Sequence, residues 1–566
     1  MKIFNSEKSK LKKFSAILAV LAFILTFQFS YINVKAVDNV LAQTVAAETS
    51  DEKILSEARS LLERYYYKPV SEDILNSSTI EEMVKKLNDP YSSYFTKEEY
   101  NNFVNSIDNK FCGIGVQVDV IREGIKITRV METSPAEEVG LKINDIITEV
   151  GDVKLAGLSA EEATKYIRGE EGTSIHIAVK RDTKVLNFDV LRRQITLPTV
   201  KSDVLNNNIG YIELSSFGDN SANEFYKNLK ALKAKNVGSY IIDLRNDGGG
   251  YINAALAIGG NFVGDTPLVL MRDKDNNETV LNGFDYGSTI DKPIIFLINE
   301  YSASASELLS AAIKDYGKAY FVGTTSYGKG VAQNMFSLSN GAMLKITTSE
   351  FFSPHGNTIN HVGITPDFPV EDDKVDSLAV ARLFFSCTGK EDKIEALSNK
   401  TGYAKVKTND KTFYIDLNEV RKDENWEAYD YILNNVKSEN IYVGSENGWI
   451  KYSQEDVNKK IALYYPGNKN LKDITKKKYD KNITITFNNS LNKETVNDKT
   501  IEIIDSKTGE RIPASLNTDN KNKVVLSLNN ELKEGETYYI LINKEIKSEK
   551  GNGLSKEIAS KIYVEN

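Results

Sequence analysis

Tyr301-Ser302-Ala303-Ser304-Ala305-Ser306-Glu307 follows closely on an apolar run at residues 293–298, and the fold reads outward from this stretch. A short β-type run, small residues at a turn and a helical pattern over residues 308–313 predict a strand, a turn and a helix with hydroxyls at its N-terminus. Two readings fit. Small side chains let a substrate carbonyl approach such a turn, and the free N–H groups of a first helical turn can donate to a developing oxyanion, which suits a nucleophile. Ser304 and Glu307 equally have capping-box spacing, with Ser at the N-cap and Glu at N3.

Downstream, residues 323–333 read Gly-Thr-Thr-Ser-Tyr-Gly-Lys-Gly-Val-Ala-Gln. Lys329 stands between Gly328 and Gly330, so its backbone is free to approach another segment and its amine to point inward. A solvated lysine is no base at neutral pH, but burial lowers its pKa by about 3 to 5 units, enough to take a proton from a serine. Gln333 is placed four residues on, where it could hold that amine. Ser-Ala-Ser-Ala-Ser-Glu followed by Gly-Lys-Gly-x-x-Gln resembles the carboxyl-terminal processing peptidases, or tail-specific serine proteases. The resemblance covers residues from about 50 to 390. It implies a serine-type endopeptidase with Ser304 as nucleophile, Lys329 as general base and Gln333 orienting the lysine.

The length of 566 residues calls for several domains, since single cores rarely exceed about 250 to 300 residues. A formal net charge of -8 speaks against nucleic acid as the main partner. Cys112 and Cys387 form neither a disulfide framework nor a metal cluster, His-Glu-x-x-His is absent, and no cofactor or metal is expected. Lysines 2, 8, 10, 12 and 13 precede an uncharged apolar run at residues 14–29, an export signal within residues 1–36. It reads either as a signal peptide cleaved near Val34-Lys35-Ala36 or as a membrane anchor. Both place the rest of the chain outside the cytoplasm.

Residues 46–104 carry helical spacing, and Leu87-Asn88-Asp89-Pro90-Tyr91-Ser92-Ser93-Tyr94-Phe95 matches the arm that precedes the sensor domain in the resembling family. In that family the arm adds to the protease body and often pairs subunits, so a homodimer is expected. Residues 105–192 read as short strands with one or two helices. Gly113-Ile114-Gly115-Val116, Ser134-Pro135-Ala136 and Asp145-Ile146-Ile147 resemble a PDZ domain, with Asn144 where glycine usually stands. Two glycines so close also fit a plain bulge. The resemblance implies that residues 113–116 present N–H groups to a peptide carboxylate, so that free C-termini are the partners. Arg168 is either a solvated surface residue or, as the resemblance implies, a regulatory link between the bound peptide and the catalytic body.

Residues 193–390 alternate strand and helix, with strands at 209–214 and 239–244 around a helix at 222–235, which predicts an α/β layer. The following Arg245-Asn246-Asp247-Gly248-Gly249-Gly250 is no nucleotide fingerprint. It resembles the family turn whose glycine N–H joins that of the residue after the nucleophile, which assigns an oxyanion hole to Gly249 and Ala305. Asp247 stands where the family has Asn, and Gly248 where it often has Pro. A helix over 376–385 closes the core. Residues 391–458 alternate polar and aromatic positions and match no family, reading as a small accessory segment. Residues 459–566 hold strands spaced by Asn, Gly and Asp turns, a sandwich signature that resembles bacterial immunoglobulin-like domains and implies a spacer or a cell-wall adhesion module without chemistry of its own. The expected fold class is thus multidomain, an α/β (α+β) protease core with an inserted PDZ domain and an all-β Ig-like sandwich at the C-terminal end.

Other classes compete. A Ser-His-Asp hydrolase lacks a Gly-x-Ser-x-Gly elbow. A penicillin-binding type acyl enzyme would use Ser326-Tyr327-Gly328-Lys329 as Ser-x-x-Lys with Lys400-Thr401-Gly402, but Ser-x-x-Lys belongs on a helix that Gly328 weakens. A non-catalytic surface adhesin would keep Ser304 as a cap only.

Overall fold

Ile-Ile-Phe-Leu-Ile at Ile294–Ile298 has no polar side chain and no outward face, and all five residues are buried. Such a strand belongs inside a parallel sheet covered on both sides. The computed structural model describes residues 50–408, 411–420, 425–452, 469–470, 474–477, 481–505, 511–518 and 520–565, and in it this strand is central. The sheet order is Val200–Leu205, Ile209–Leu214, Ser239–Asp243, Ile294–Ile298, Tyr320–Gly323, Phe368–Pro369, with the first pair antiparallel and the others parallel. Helices Ser221–Ala234, Ile252–Val263 and Ala305–Asp315 close one face through Phe225, Phe262 and Leu308. Helix Ser377–Phe384 closes the other through Val380 and Phe384.

The chain divides into two compact units, Met1–Ser56, of which residues 50–56 are described, and Glu57–Asn566. The export segment expected within residues 1–36 lies outside the described residues. Among the described residues no helix is long and apolar enough to cross a membrane.

A second sheet leans on the catalytic layer. Its long strand Met343–Phe352 pairs with Ser93–Phe95, Pro267–Asp273 and Val331–Ser337. The arm is therefore sewn into the protease body, with Tyr67 N–H bonding Thr347 O at 3.0 Å and Thr347 N–H bonding Ser92 Oγ at 3.0 Å. The paired strands Lys110–Gly113 and Arg193–Thr196 lead out to a six-stranded module with helices Pro135–Glu138 and Ala160–Ile167 around Ile125, Ile127, Ile147 and Ile177. Asn144 takes φ 73°, the left-handed turn its short amide tolerates.

Strands Tyr403–Thr408, Lys411–Asp416, Ile441–Ser445 and Gly448–Lys451 form a separate sheet that packs Ala404 and Val406 into the same core as Phe384. Two further sheets follow, one of Asn482–Thr486, Lys523–Leu528 and Ala514–Asn517, the other containing Ile501–Asp505, Thr537–Ile542 and Ile558–Glu565. They share the core of Ile483, Ile503, Leu526 and Ile540, a β-rich sandwich.

Candidate active site

Three serines alternate at 302, 304 and 306, and the tertiary structure separates them. Ser302 and Ser306 are buried, and their hydroxyls donate to the carbonyls of Leu244 at 2.8 Å and Asp247 at 2.9 Å. Ser304 is only partly buried. It stands at the entry of helix Ala305–Asp315 with φ 58° and ψ -110°, whereas an ordinary N-cap is extended. A non-glycine residue in that region is strained by about 1 to 3 kcal/mol and persists only where its surroundings enforce it.

Glu307 supplies that enforcement, and its full role is not legible in the capping pattern. Its side chain is wholly buried. Its Oε2 accepts the Ser304 N–H at 2.9 Å and the Lys329 N–H at 2.8 Å, while Oε1 accepts the Gly328 N–H and the Ser326 hydroxyl, both at 2.6 Å. One carboxylate thus ties the turn of Ser304 to the loop of Lys329, through bonds to a charged acceptor that are each worth about 1.5 to 3 kcal/mol. The glycines around Lys329 make the approach possible. A Cβ at Gly330 would fall 2.3 Å from Asn360 N, and Gly328 takes φ 88°.

The Lys329 ammonium end has no hydrogen bond or ion pair among the described residues. It lies 4.8 Å over the ring of Tyr91, which comes from the arm. Desolvation, helped by the positive charge of Lys345, brings its pKa down to about 8 against the opposing pull of Asp89 and Glu307. Lys345 is itself covered by the arm, 4.7 Å over Phe103 and 5.4 Å over Phe95, and burial lowers its pKa as well. Tyr91 is pushed up to about 12 by burial and by Tyr327. Tyr301, Tyr327 and Val362 are exposed around this region.

Two expected arrangements are not formed. Gln333 was expected to hold the Lys329 amine, but its Nε2 donates to Val331 O at 3.2 Å and Thr347 Oγ1 at 3.4 Å. The reason is register: a bulge between Ala332 and Gln333 sets Gln333 opposite Thr347 in the strand pair. Gly249 and Ala305 were expected to offer paired N–H groups. Ala305 N–H has no acceptor among the described residues, but Gly249 N–H donates to Asp247 Oδ1 at 2.8 Å. The acidic side chain two residues back closes a local turn and occupies it. Gly249 nevertheless lies against the site, since a Cβ there would fall 2.8 Å from both Ala305 N and Ser304 Cβ.

In the six-stranded module, Ile114 O and Gly115 O accept the N–H groups of Ala136 and Met131 at 2.9 and 3.0 Å. Across the trans peptide planes the N–H groups of Gly115 and Val116 face the opposite way. There a cavity of about 70 Å³ is lined by Phe111, Val116, Val118, Thr164, Ile167 and Arg168, with Gly113 and Ile114 at its wall. Gly115 takes φ 81°, and a Cβ on it would fall 2.3 Å from Ser134 Cβ, so only glycine fits. Arg168 stacks 4.9 Å over Phe111, on the strand that connects the module to the body. Arg192 closes the end of helix Ala160–Ile167, donating to Ile167 O at 2.9 Å and Tyr166 O at 2.7 Å. The histidines form no triad here, and His361 meets the Lys329 loop through its backbone, its N–H 2.7 Å from Gly328 O. Ser326 is spent on Glu307, and Ser326 to Lys329 is not helical.

Comparisons with known proteins agree with this architecture. The model of peptidase family S41 matches residues 208–370, a PDZ domain model 112–191, a bacterial Ig-like domain model 466–562, and the model of the activating protease CtpB N-terminal domain 23–99. A probable CtpA-like serine protease of Staphylococcus epidermidis is 31% identical over 379 residues, 66% of this chain and 77% of the relative. Another, of Staphylococcus haemolyticus, is 30% identical over 379 residues, 66% of this chain and 76% of that one. Among solved structures, a photosystem II D1 C-terminal processing protease is 22% identical and aligns 58% of this chain and 95% of its own with a TM-score of 0.39. The class is that of a serine protease with a PDZ module ahead of an α/β core. The chain belongs to peptidase family S41, and its relatives place it with the CtpA-like serine proteases.

Proposed function

We propose that the protein is an exported endopeptidase in which Ser304 attacks the scissile carbonyl, Lys329 is the general base, and the PDZ module selects substrates by their free C-termini. The observation that carries this reading is the Glu307 bridge between Ser304 and the loop of Lys329, whose amine lies over Tyr91 with no hydrogen bond or ion pair among the described residues. With a pKa of about 8, a useful fraction of Lys329 is unprotonated near neutrality. It takes the Ser304 proton as the Oγ–carbon bond forms and returns it to the leaving amine. A water then reverses the sequence to free the acyl group. The Ala305 N–H receives the oxyanion. Gln333 acts on the strand beside Lys329 rather than on its amine.

The N–H groups of residues 113–116 hold the terminal carboxylate, the apolar cavity takes the last side chain, and Arg168 senses the bound tail through Phe111 and the connecting strands. The N-terminal lysines and apolar run support a site of action outside the cytoplasm, with the enzyme secreted or anchored in the membrane. The Ig-like domain serves attachment to the cell wall, and the arm pairs two subunits. Matched protein substrates with free and amidated C-termini test the reading. Bonds to the carboxylate worth about 1.5 to 3 kcal/mol make cleavage of the free form roughly ten-fold faster or more at low concentration. Equal rates would reduce the PDZ module to a spacer.

A further inference from the structure

Asp247 is wholly buried. Its Oδ1 accepts the Gly249 N–H at 2.8 Å, and its Oδ2 has no hydrogen-bond partner among the described residues. Its backbone carbonyl receives the Ala303 N–H at 3.0 Å and the Ser306 hydroxyl at 2.9 Å, so the residue is locked to the turn that carries Ser304. The charged groups on the neighbouring elements are engaged elsewhere. Arg245 pairs with Asp243 at 2.7 Å, Glu307 is held by its own donors, and the Lys329 amine lies over Tyr91. A carboxylate with one bare oxygen and no cation is among the costliest groups to bury, and keeping its proton removes that cost.

We propose that Asp247 works as a neutral carboxylic acid and is a positioning residue of the oxyanion turn, holding Gly249 N–H in reserve for the reaction. This rests on the reading that the oxyanion forms at Ala305 N–H. A neutral oxygen accepts a hydrogen bond less strongly than an anion does. The oxyanion, once formed beside Ala305, therefore competes successfully for the Gly249 N–H, whose residue packs directly against Ala305 N. Ionised Asp247 would fail twice. It would hold the N–H more tightly and set a negative charge beside the one developing in the transition state. Burial pushes the Asp247 pKa well above the ordinary carboxylate range, outweighing the opposing pull of the Gly249 N–H and the Ser306 hydroxyl, in keeping with the geometry.

The test is the unfolding equilibrium of the full chain and of Asp247→Asn across pH, followed by denaturant titration. Asparagine has the same shape and cannot ionise. A group whose folded pKa is raised loses its stabilising contribution as pH climbs from its unfolded value, about 3.9, toward its folded one. The unfolding constant of wild type relative to Asp247→Asn should therefore rise about ten-fold per pH unit between about pH 5 and 7. A flat ratio overturns the proposal, because Asp247 would then be ionised in the folded protein. So does an Asp247→Asn chain that cannot fold. This readout is independent of which serine reacts, so it can fail while the nucleophile assignment stands. In activity, Asp247→Ala should lose roughly 100-fold in kcat with KM little changed, and Asp247→Asn should recover most of it. Loss of the same size in both variants would show that the negative charge itself is required and would overturn the neutral role.

Discussion

Lys400 and Lys329 both withdraw their ammonium groups from water, and the fold treats them oppositely. Lys400, 5% exposed, ends on three backbone carbonyls, those of Ile394 at 3.0 Å, Glu395 at 2.7 Å and Leu397 at 2.5 Å. Lys329 ends on the face of Tyr91, its amine has no hydrogen bond or ion pair among the described residues, and the charge of Lys345 acts on it against those of Asp89 and Glu307. Burial alone does not create a base. Three charge-assisted bonds offset the desolvation of one ammonium and make it a structural pin. Their absence leaves the other poised to give up its proton.

The comparison breaks most visibly in activity. Ser304→Ala and Lys329→Ala should each lower kcat by about 10⁴-fold or more with folding unchanged, and the double variant should be no worse, as for groups that act as a unit. Lys329→Arg should be equally inactive, since guanidinium keeps its proton. An active arginine variant at neutral pH would remove the lysine from the chemistry. In the intact enzyme kcat/KM should rise with pH and level off above about 8, because the base works only unprotonated. Steady-state rates on one peptide across pH suffice to check it.

Next in size is the bridge that Lys400 has no counterpart for. Glu307→Gln presents an NH2 to donors that need an acceptor, costing about 2 to 3 kcal/mol. If that loss is felt in the transition state, kcat falls roughly 100-fold. A variant that melts lower yet turns over at the normal rate would make Glu307 purely structural.

Smaller again is Lys345→Met, which removes the like charge that helps to hold Lys329 neutral. The Lys329 pKa then moves upward, its unprotonated fraction at neutral pH falls, and the rate drops by roughly several-fold there and less at alkaline pH. An unmoved pH profile would assign the depression to burial alone. Lys400→Met closes the series. It should leave kcat and KM alone and cost about 1 to 3 kcal/mol of stability in a denaturant titration, as carbonyls lose their donor.

What depends on neighbours a few residues away was legible along the chain. The apolar run at Ile294–Ile298 became a central parallel strand, the small residues after it a turn into helix Ala305–Asp315, and the glycines of 113–116 a loop that only glycine fits at 115. The motifs that marked a PDZ-bearing S41 protease are local in the same sense, and so is the left-handed turn at Asn144. Whatever depends on partners brought from afar was set by the folded chain. It spent the hydroxyls of Ser302 and Ser306 on Leu244 and Asp247, and turned a cap-like Glu307 into the tie between Ser304 and Lys329. It gave Gln333 to Thr347 and Gly249 N–H to Asp247, where the pattern had suggested other partners. Tyr91, Phe95 and Phe103, from an arm that precedes Lys329 and Lys345 by more than two hundred residues, cover both lysines. Periodicity and turn chemistry act over a few bonds and are written along the chain. Desolvation and the choice of hydrogen-bond partner belong to the packed interior and exist only once distant segments have met.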